Sequence, residues 1–479
     1  MILGWSEGFH DAAACVIDYD GNIVFASHSE RFSGNKHEKF ISPELKEYID
    51  NNFAITEYAF FEKPLLKKTR QLFAGQYKTV FSKRPLAWKP TKTFHHHKSH
   101  AAASFQTSRY QEAAAVVIDS IGEWDTTSIW KCSYKNGWSV NYEKMWSETY
   151  PRSIGLWYTA LTHFVGLRPL DEEYIFMGMA AYGRSNTKLQ SLLLDLLRKS
   201  YNLHKGILGK EARALSVFSK NDIAYNAQVV LEGNLEPIFA KALTYSDNIV
   251  YGGGVALNCV ANSKLYEQCK EKLWIFPNPG DAGGALGAAA QAHGGPLWWK
   301  DPFLGYDIKP SKPIEQLAKD VVSIIQLEGM CGVASGKAEY GPRALGNRSL
   351  LADPRGEAVQ DLVNTVKRRQ KFRPFAPCIL EEHAKNHFIP AYKSPYMQMV
   401  VQCTDKNLPA ITHKDGSSRL QTVSIDDDNI FRHILEEWYK RTGCPVLLNT
   451  SLNIRGEPMV NTIEDASRFQ TKYKVKVIS

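Results

Sequence analysis

What the chain lacks narrows it before any motif is read. No stretch approaches the roughly 20 consecutive apolar residues of a membrane-spanning helix, and the opening MILGWSEGFHDAAA has no basic run ahead of an apolar core, as a signal peptide would. Membrane insertion and export are therefore not expected, and a cytoplasmic protein without a membrane partner is. None of the eight cysteines falls in a C-x-x-C pair, which argues against both a zinc ribbon and a secreted disulfide framework. A strong charge bias is absent too, since 58 Lys and Arg against 50 Asp and Glu leave +8. That balance permits phosphate-bearing substrates, including a nucleotide, without calling for polymeric nucleic acid. What is present in quantity is chain length: 479 residues, 44% of them hydrophobic, fill two or three cores and predict a multidomain enzyme.

The N-terminus reads as a strand at 2–5, a polar loop holding His10 and Asp11, a strand at 13–17, an Asp-Gly turn and a strand at 22–26. From Ala113 the same order returns: an apolar strand ending in Asp119, the loop SIGEWDT, a strand at 127–131, an Asn-Gly turn and another strand. This predicts an internal duplication. Two such meanders, each followed by helices, are the pattern of actin-like (ASKHA) folds, although two unrelated hairpins would read alike. Further on, NIVYGGGVALNC and WIFPNPGDAGGALG each read as strand, glycine turn and helix. Gly253, Gly254, Gly283 and Gly284, with Asn258, become candidates for a nucleotide seat at helix N-termini, tight helix packing being the other reading. The segment 292–313 is rich in Gly, Pro and aromatics without helical periodicity, so a domain boundary is expected there, dividing 1–300 from an α/β domain at 301–479.

FHHHKSHAAASF places His96 and His100 four apart at the head of a helix-favouring run. On a helix they share a face and can grip one cation. Asp119 and Asp281 are candidate oxygen ligands, and two imidazoles with two carboxylates suit iron(II), manganese or zinc. Histidines that merely decorate a surface helix give the same local spacing. Context separates the two readings. H-H-x-S-H-A-A-A-S-F, V-V-I-D-S-I-G-E, G-G-V-A-L-N-C and P-x-P-G-D-A-G-G-A-L-G-A-A occur here in the order found in O-carbamoyltransferases of the NodU/CmcH/TobZ type, which the chain resembles. The resemblance implies a transfer domain similar to the threonylcarbamoyl-tRNA transferases, with iron held by His96, His100, Asp119 and Asp281. G-F-H-D-A-A-A and S-E-R-F-S-x-x-K-H-E match the family's opening motifs and make His10 and Lys36 catalytic candidates, His10 as proton acceptor. Ile175 stands where the family commonly has lysine.

Between residues 337 and 373 nine Lys or Arg alternate with Pro, Gly and apolar anchors such as Leu345, Leu350, Phe372 and Phe375. Charges held this way suggest a phosphate cradle, a nucleic-acid patch being the other reading. G-P-R-A-L-G-N-R-S-L-L-A-D-P-R, V-K-x-R-x-x-F-R-P-F-A-P, R-L-Q-T-V and P-V-L-L-N-T-S-L-N-I-R-G-E-P resemble the YrdC-like domain of the same family, with Gln370 in place of its usual glutamate. By that resemblance Arg343, Arg348, Lys367, Arg369, Arg373, Arg419, Asn449 and Arg455 contact carbamoyl phosphate and ATP with its Mg. The implied reaction forms carbamoyl-adenylate and then carbamoylates a hydroxyl of a small molecule: a sugar, an antibiotic or a hydroxymethylated nucleotide. The chain is shorter than typical members, which leaves the acceptor open. Two other readings stand beside this one: a tRNA threonylcarbamoyl-type transferase, and a nucleotide-gated binding protein without transfer chemistry.

Overall fold

A computed structural model describes residues 1–80, 85–199, 202–370, 373 and 375–479 of the chain. It is a mixed α/β structure that divides into two compact units. The first comprises residues 1–25, 39–41 and 46–300, and the second residues 26–38, 42–45 and 301–479.

In the first unit, β1 (Ile2–Ser6), β2 (Ala13–Ile17), β3 (Ile23–His28), β4 (Glu57–Phe60) and β5 (Lys92–Thr93) form a sheet ordered β3-β2-β1-β4-β5. β6 (Glu112–Ile118), β7 (Asp125–Lys135), β8 (Ser139–Thr149), β9 (Ile249–Gly252) and β10 (Leu273–Ile275) form another, ordered β10-β9-β6-β7-β8. Read from the other edge, the second order repeats the first. Directions repeat as well: the founding strand pairs antiparallel with the next in sequence (β1 with β2, β6 with β7) and parallel with the fourth (β1 with β4, β6 with β9). The duplication read from the two meanders is therefore present in topology. β1 and β2 are buried at every position and β6 at all but its first. Such near-continuous apolar runs, rather than alternating ones, belong to strands covered on both faces.

Two helices lie against these sheets and set up the site. One, His96–Gln106, opens on the histidines; the other, Gly284–His293, follows Asp281. Both are rich in small residues. A Cβ on Gly287 would lie 1.8 Å from the Ser99 carbonyl oxygen, and one on Gly4 would lie 2.1 Å from that of Ala285. The alanine and glycine content is thus a packing requirement: it lets the two helix axes and β1 approach closely, which draws Asp281 toward the histidine helix.

The second unit is built on a six-stranded sheet ordered β19-β15-β20-β14-β12-β21. Its strands are β12 (Met330–Ala334), β14 (Arg348–Ala352), β15 (Ala376–Leu380), β19 (Gln421–Val423), β20 (Val446–Ser451) and β21 (Val477–Ile478), and helices Ile314–Glu328 and Ile430–Thr442 pack on it. A small sheet joins β11 (Phe303–Ile308) to β13 (Gly336–Glu339), and a third joins β16 (Phe388–Ile389), β17 (Val400–Cys403) and β18 (Ser417–Arg419). The segment 292–313, read as a domain boundary without helical periodicity, holds strand β11, whose pairing with β13 shifts register between Phe303 and Asp307. Residues 26–38 belong with the second unit because Arg31 donates to the Gly341 carbonyl (3.1 Å) and the His28 and Phe32 rings meet Tyr340 and Tyr306. Lys36 therefore lies in the second unit, not the first. All eight cysteines are free thiols, seven of them buried. Among the described residues no helix is long and apolar enough to cross a membrane.

Candidate functional site

The His96–Gln106 helix has no side-chain cap of its own. Its N-terminal N–H groups need an acceptor, and the chain supplies one from 27 residues away: the Glu123 carboxylate accepts from the His96 N–H at 3.0 and 3.2 Å and from the Lys63 N–H at 2.8 Å. A buried anion at the positive end of a helix is favourable; burial would raise the Glu123 pKa, yet the His95 side chain, the charge of His96 and the N–H groups of Lys63 and His96 hold it below the usual carboxylate range. Glu123 thereby fixes the start of the helix that bears the histidines, a role invisible in its sequence neighbourhood. Glu123→Ala is expected to lower unfolding stability by about 1–3 kcal/mol and to weaken metal retention about 10–100-fold, the range for residues behind metal ligands. Denaturant melts and dialysis against a chelator measure the two effects.

The four adjacent or near-adjacent histidines divide by position. His95 is the exposed N-terminal flanking residue. His97 turns to Ser128 Oγ (2.8 Å), and burial, then the charges of His96 and His100, push its pKa well down, as befits a neutral structural imidazole. His96 and His100 project together, their Nε2 atoms 3.1 Å apart. Asp119 Oδ2 lies 3.1 Å from His96 Nε2, and Asp281 Oδ1 lies 3.2 and 3.4 Å from the two Nε2 atoms. One donor atom from each of the four residues falls within 4.8 Å of the other three, and all four side chains are buried.

This set fits a divalent cation. Two imidazole nitrogens and two carboxylate oxygens converge on one point, and Asp281 Oδ1 is buried with no well-aligned donor. The electrostatics agree: burial opposes charge on His96, yet Asp281, Asp119 and Glu62 hold its pKa well above the ordinary value. Burial would raise Asp281, yet His96, His100 and His10 hold it well below. The other Asp119 oxygen accepts from the Gly254 N–H (3.1 Å), which fixes the carboxylate's orientation. His10 bonds Asp11 (2.9 Å), and its pKa is raised against burial by Asp11, Asp281 and Asp119.

The glycine turns have packing reasons. A Cβ on Gly253, which has φ +89°, would lie 2.2 Å from the Ile118 carbonyl oxygen; one on Gly283 would lie 1.9 Å from that of Asn278; one on Gly284 would lie 2.7 Å from the Phe61 ring. Gly254 uses its N–H on Asp119, as above. Asn258 caps the helix Cys259–Gln268, accepting from the Ala261 N–H, and exchanges hydrogen bonds with Gln228.

In the second unit the expected anion contacts separate into two kinds. Arg348 is fully buried, and its guanidinium donates to the carbonyls of Ser335, Gly336, Asn347, Tyr306 and Asn461 at 2.9–3.4 Å. It ties strands and loops together, which corrects its reading as a phosphate ligand: the same charge in the same loop serves backbone oxygens. Arg348→Ala, leaving several buried carbonyls unpaired, is expected to cost about 3 kcal/mol or more and to show itself in thermal melts before any effect on ATP affinity. Glu339, which sequence reasoning missed, accepts from the N–H groups of Leu345, Asn347 and Arg348 and shapes the same loop.

Lys367 is the centre of the other kind. Its ammonium is buried against the Ser451 carbonyl, Ser451 Oγ (3.1 Å) and Asn453 Oδ1 (2.7 Å). Burial, then Arg369, Arg373 and Lys36, push its pKa well below the usual lysine value. Arg369 also bonds Asn364 (2.7 Å) and stacks on Phe375, and the Arg455 N–H donates to the Lys367 carbonyl (3.1 Å). Asn449 reaches the Ala344 carbonyl and Gln421, next to half-buried Arg343. Arg419 is half-buried on β18. Phe372 lies outside the described residues.

Known proteins match over most of the chain. Residues 43–290 match the family model described as Carbamoyltransferase N-terminus, and residues 322–479 match Carbamoyltransferase C-terminus. An uncharacterised protein of Synechocystis is 32% identical, covering 98% of this chain and 93% of its own. The nodulation protein NolNO of Sinorhizobium fredii is 29% identical over 95% of this chain and 76% of its own. Among solved structures, an activator of 2-hydroxyisocaproyl-CoA dehydratase from Clostridium difficile aligns over 61% of this chain and 94% of its own, with 12% identity and a TM-score of 0.36. By the two family models, which together take in the histidine helix and the lysine-centred cluster, this chain belongs to the carbamoyltransferase family.

Proposed function

We propose that the chain is an ATP-dependent O-carbamoyltransferase in which two chemical steps use two sites. The observation that carries this reading is the convergence of His96, His100, Asp119 and Asp281 in the first unit; the second unit has a cationic cluster of its own, centred on Lys367. We read the first unit, with its repeated sheet, as an actin-like frame and the second as YrdC-like.

At the Lys367 cluster, carbamoyl phosphate loses phosphate to water, and the resulting carbamate oxygen attacks the α-phosphorus of ATP. Carbamoyl-adenylate forms and pyrophosphate leaves. Lys367, Arg369 and Arg373, with Lys36 and Arg343, offset the charge of the phosphates; Mg accompanies ATP. In the first unit the acceptor hydroxyl attacks the carbamoyl carbon, and AMP is the leaving group. His96, His100, Asp119 and Asp281 would hold a divalent metal, iron(II) in our preferred assignment, which would supply Lewis-acid stabilisation of the developing oxyanion. His10 takes the hydroxyl proton. A cation held by Asp281 and Asp119 would offset the part of their pull that raises His10, which would favour the neutral imidazole that can act as a base. The acceptor is a small hydroxyl-bearing molecule.

Incubation with carbamoyl phosphate, ATP and a panel of alcohols tests this reading, with pyrophosphate release and the mass gain of one carbamoyl group as readouts. Pyrophosphate release that needs both ATP and carbamoyl phosphate is expected; release that ignores either one overturns the first step.

A further inference from the structure

The net positive charge of this chain is accounted for by one stretch of sequence. Residues 63–111 contain eleven Lys and Arg and no Asp or Glu, while the remaining 47 of the 58 basic residues are outnumbered by the 50 acidic ones. At the head of that stretch stands the helix Pro64–Phe73. Its inner face is tied into the first unit: Lys67 bonds Glu62 (2.7 Å) and the Gly8 carbonyl (3.4 Å), and Arg70 is buried. Its outer face presents Leu65, Leu66, Lys68, Thr69, Leu72 and Phe73 to solvent. Leu65 and Phe73 are 74% and 72% exposed, and Tyr77, one turn further on, is 60% exposed. Aliphatic and aromatic side chains concentrated this way on one short helix mark an interaction surface.

We propose that this face docks on an anionic lipid bilayer. Two features select that occupant. The sequence that this helix opens carries charge of one sign, and Lys68 is exposed on the outer face itself, as attraction to acidic headgroups requires, each basic residue near such a surface contributing about 1 kcal/mol. The outward residues are leucines and a phenylalanine, which gain by entering the acyl boundary and have no use for the phosphate backbone of a nucleic acid. A helix lying in the interface is distinct from one that spans, so the lack of a spanning helix among the described residues is consistent with it. Docking also has a consequence for position. Glu62, the partner of Lys67, has Oε2 3.9 Å from His96 Nδ1, so the docked helix borders the metal ligands and brings a hydroxyl at the membrane surface close to them.

Co-sedimentation of the full chain with vesicles tests this, without ATP or carbamoyl phosphate, so the result is independent of the transfer reading. Binding is expected to vesicles of phosphatidylcholine containing about a quarter phosphatidylglycerol, little to phosphatidylcholine alone, and loss in about 0.5 M salt. The double variant L65S/F73S is expected to partition at least about tenfold less, with unchanged thermal melting and unchanged pyrophosphate release. Equal binding by the variant overturns the proposal. So does an absence of binding, retention on duplex DNA in place of vesicles, or a dimer in lipid-free solution that the same variant abolishes, since the face then serves a second copy of the chain.

Discussion

His96→Ala is expected to give a folded protein that retains no tightly bound divalent metal, has lost transfer to the acceptor by on the order of 10²–10³-fold or more, and still releases pyrophosphate from ATP and carbamoyl phosphate. Each part has a separate cause. His96 Nε2 is the atom nearest to both carboxylates of the cluster, 3.1 Å from Asp119 and 3.2 Å from Asp281, so its removal takes out one donor and the geometry of two others. Two buried aspartates are then left facing a single imidazole, an arrangement that cannot keep both charges without a counter-ion. Asp281→Asn, which preserves shape and removes one charge, is expected to show the same division with a smaller loss of metal. A chelator is expected to reproduce the transfer defect in the wild type. Metal content by elemental analysis, pyrophosphate release and carbamoyl transfer, measured on the same preparations, check all three. Loss of pyrophosphate release in His96→Ala to the same degree as transfer overturns the separation of steps.

The histidine pair was legible because its spacing is local: residues four apart on a helix share a face whatever surrounds them. Asp119 and Asp281 could be placed because each ends a recognisable element, a strand in one case and a glycine turn in the other. The duplication was legible because meander order survives in the pattern of apolar runs. What failed to show was everything held by main-chain atoms. Glu123 and Glu339 act on N–H groups that any residue possesses, so no partner residue type betrays them. Arg348 was misread for the converse reason, since carbonyl oxygens attract a guanidinium as phosphate oxygens do and only burial tells the two apart. The glycine turns carried the same ambiguity. Gly253 and Gly283 are required by close approach to a carbonyl oxygen, and a sequence cannot distinguish a backbone that must come near a neighbour from one that must come near a ligand.

Lys367 carries the second large expectation. In the unliganded protein its pKa lies well below the ordinary lysine value, through burial and the charges of Arg369, Arg373 and Lys36. A polyphosphate or carbamoyl phosphate beside it favours the charged form and raises that pKa. At any pH between the unliganded and liganded values, binding therefore takes up a proton, and the heat of ATP binding is expected to change with the ionisation enthalpy of the buffer in that window. Lys367→Met is expected to abolish the dependence and to lower pyrophosphate release about 100-fold or more, as loss of a buried cation facing transition-state charge does. The folded state gives a stability control with its own sign. Because the folded pKa is depressed, the unfolded chain holds a proton that the native chain lacks, so this residue makes stability rise with pH between the two values and weighs against folding below them. Lys367→Met removes that slope and takes the ammonium donor from the Ser451 carbonyl, while Asn453 Oδ1 still accepts from the Ser451 hydroxyl, so a neutral or modest stability change with a large catalytic loss is the expected pattern. A variant that melts far lower yet retains full pyrophosphate release per folded molecule would show Lys367 to be a structural lysine, as Arg348 is a structural arginine.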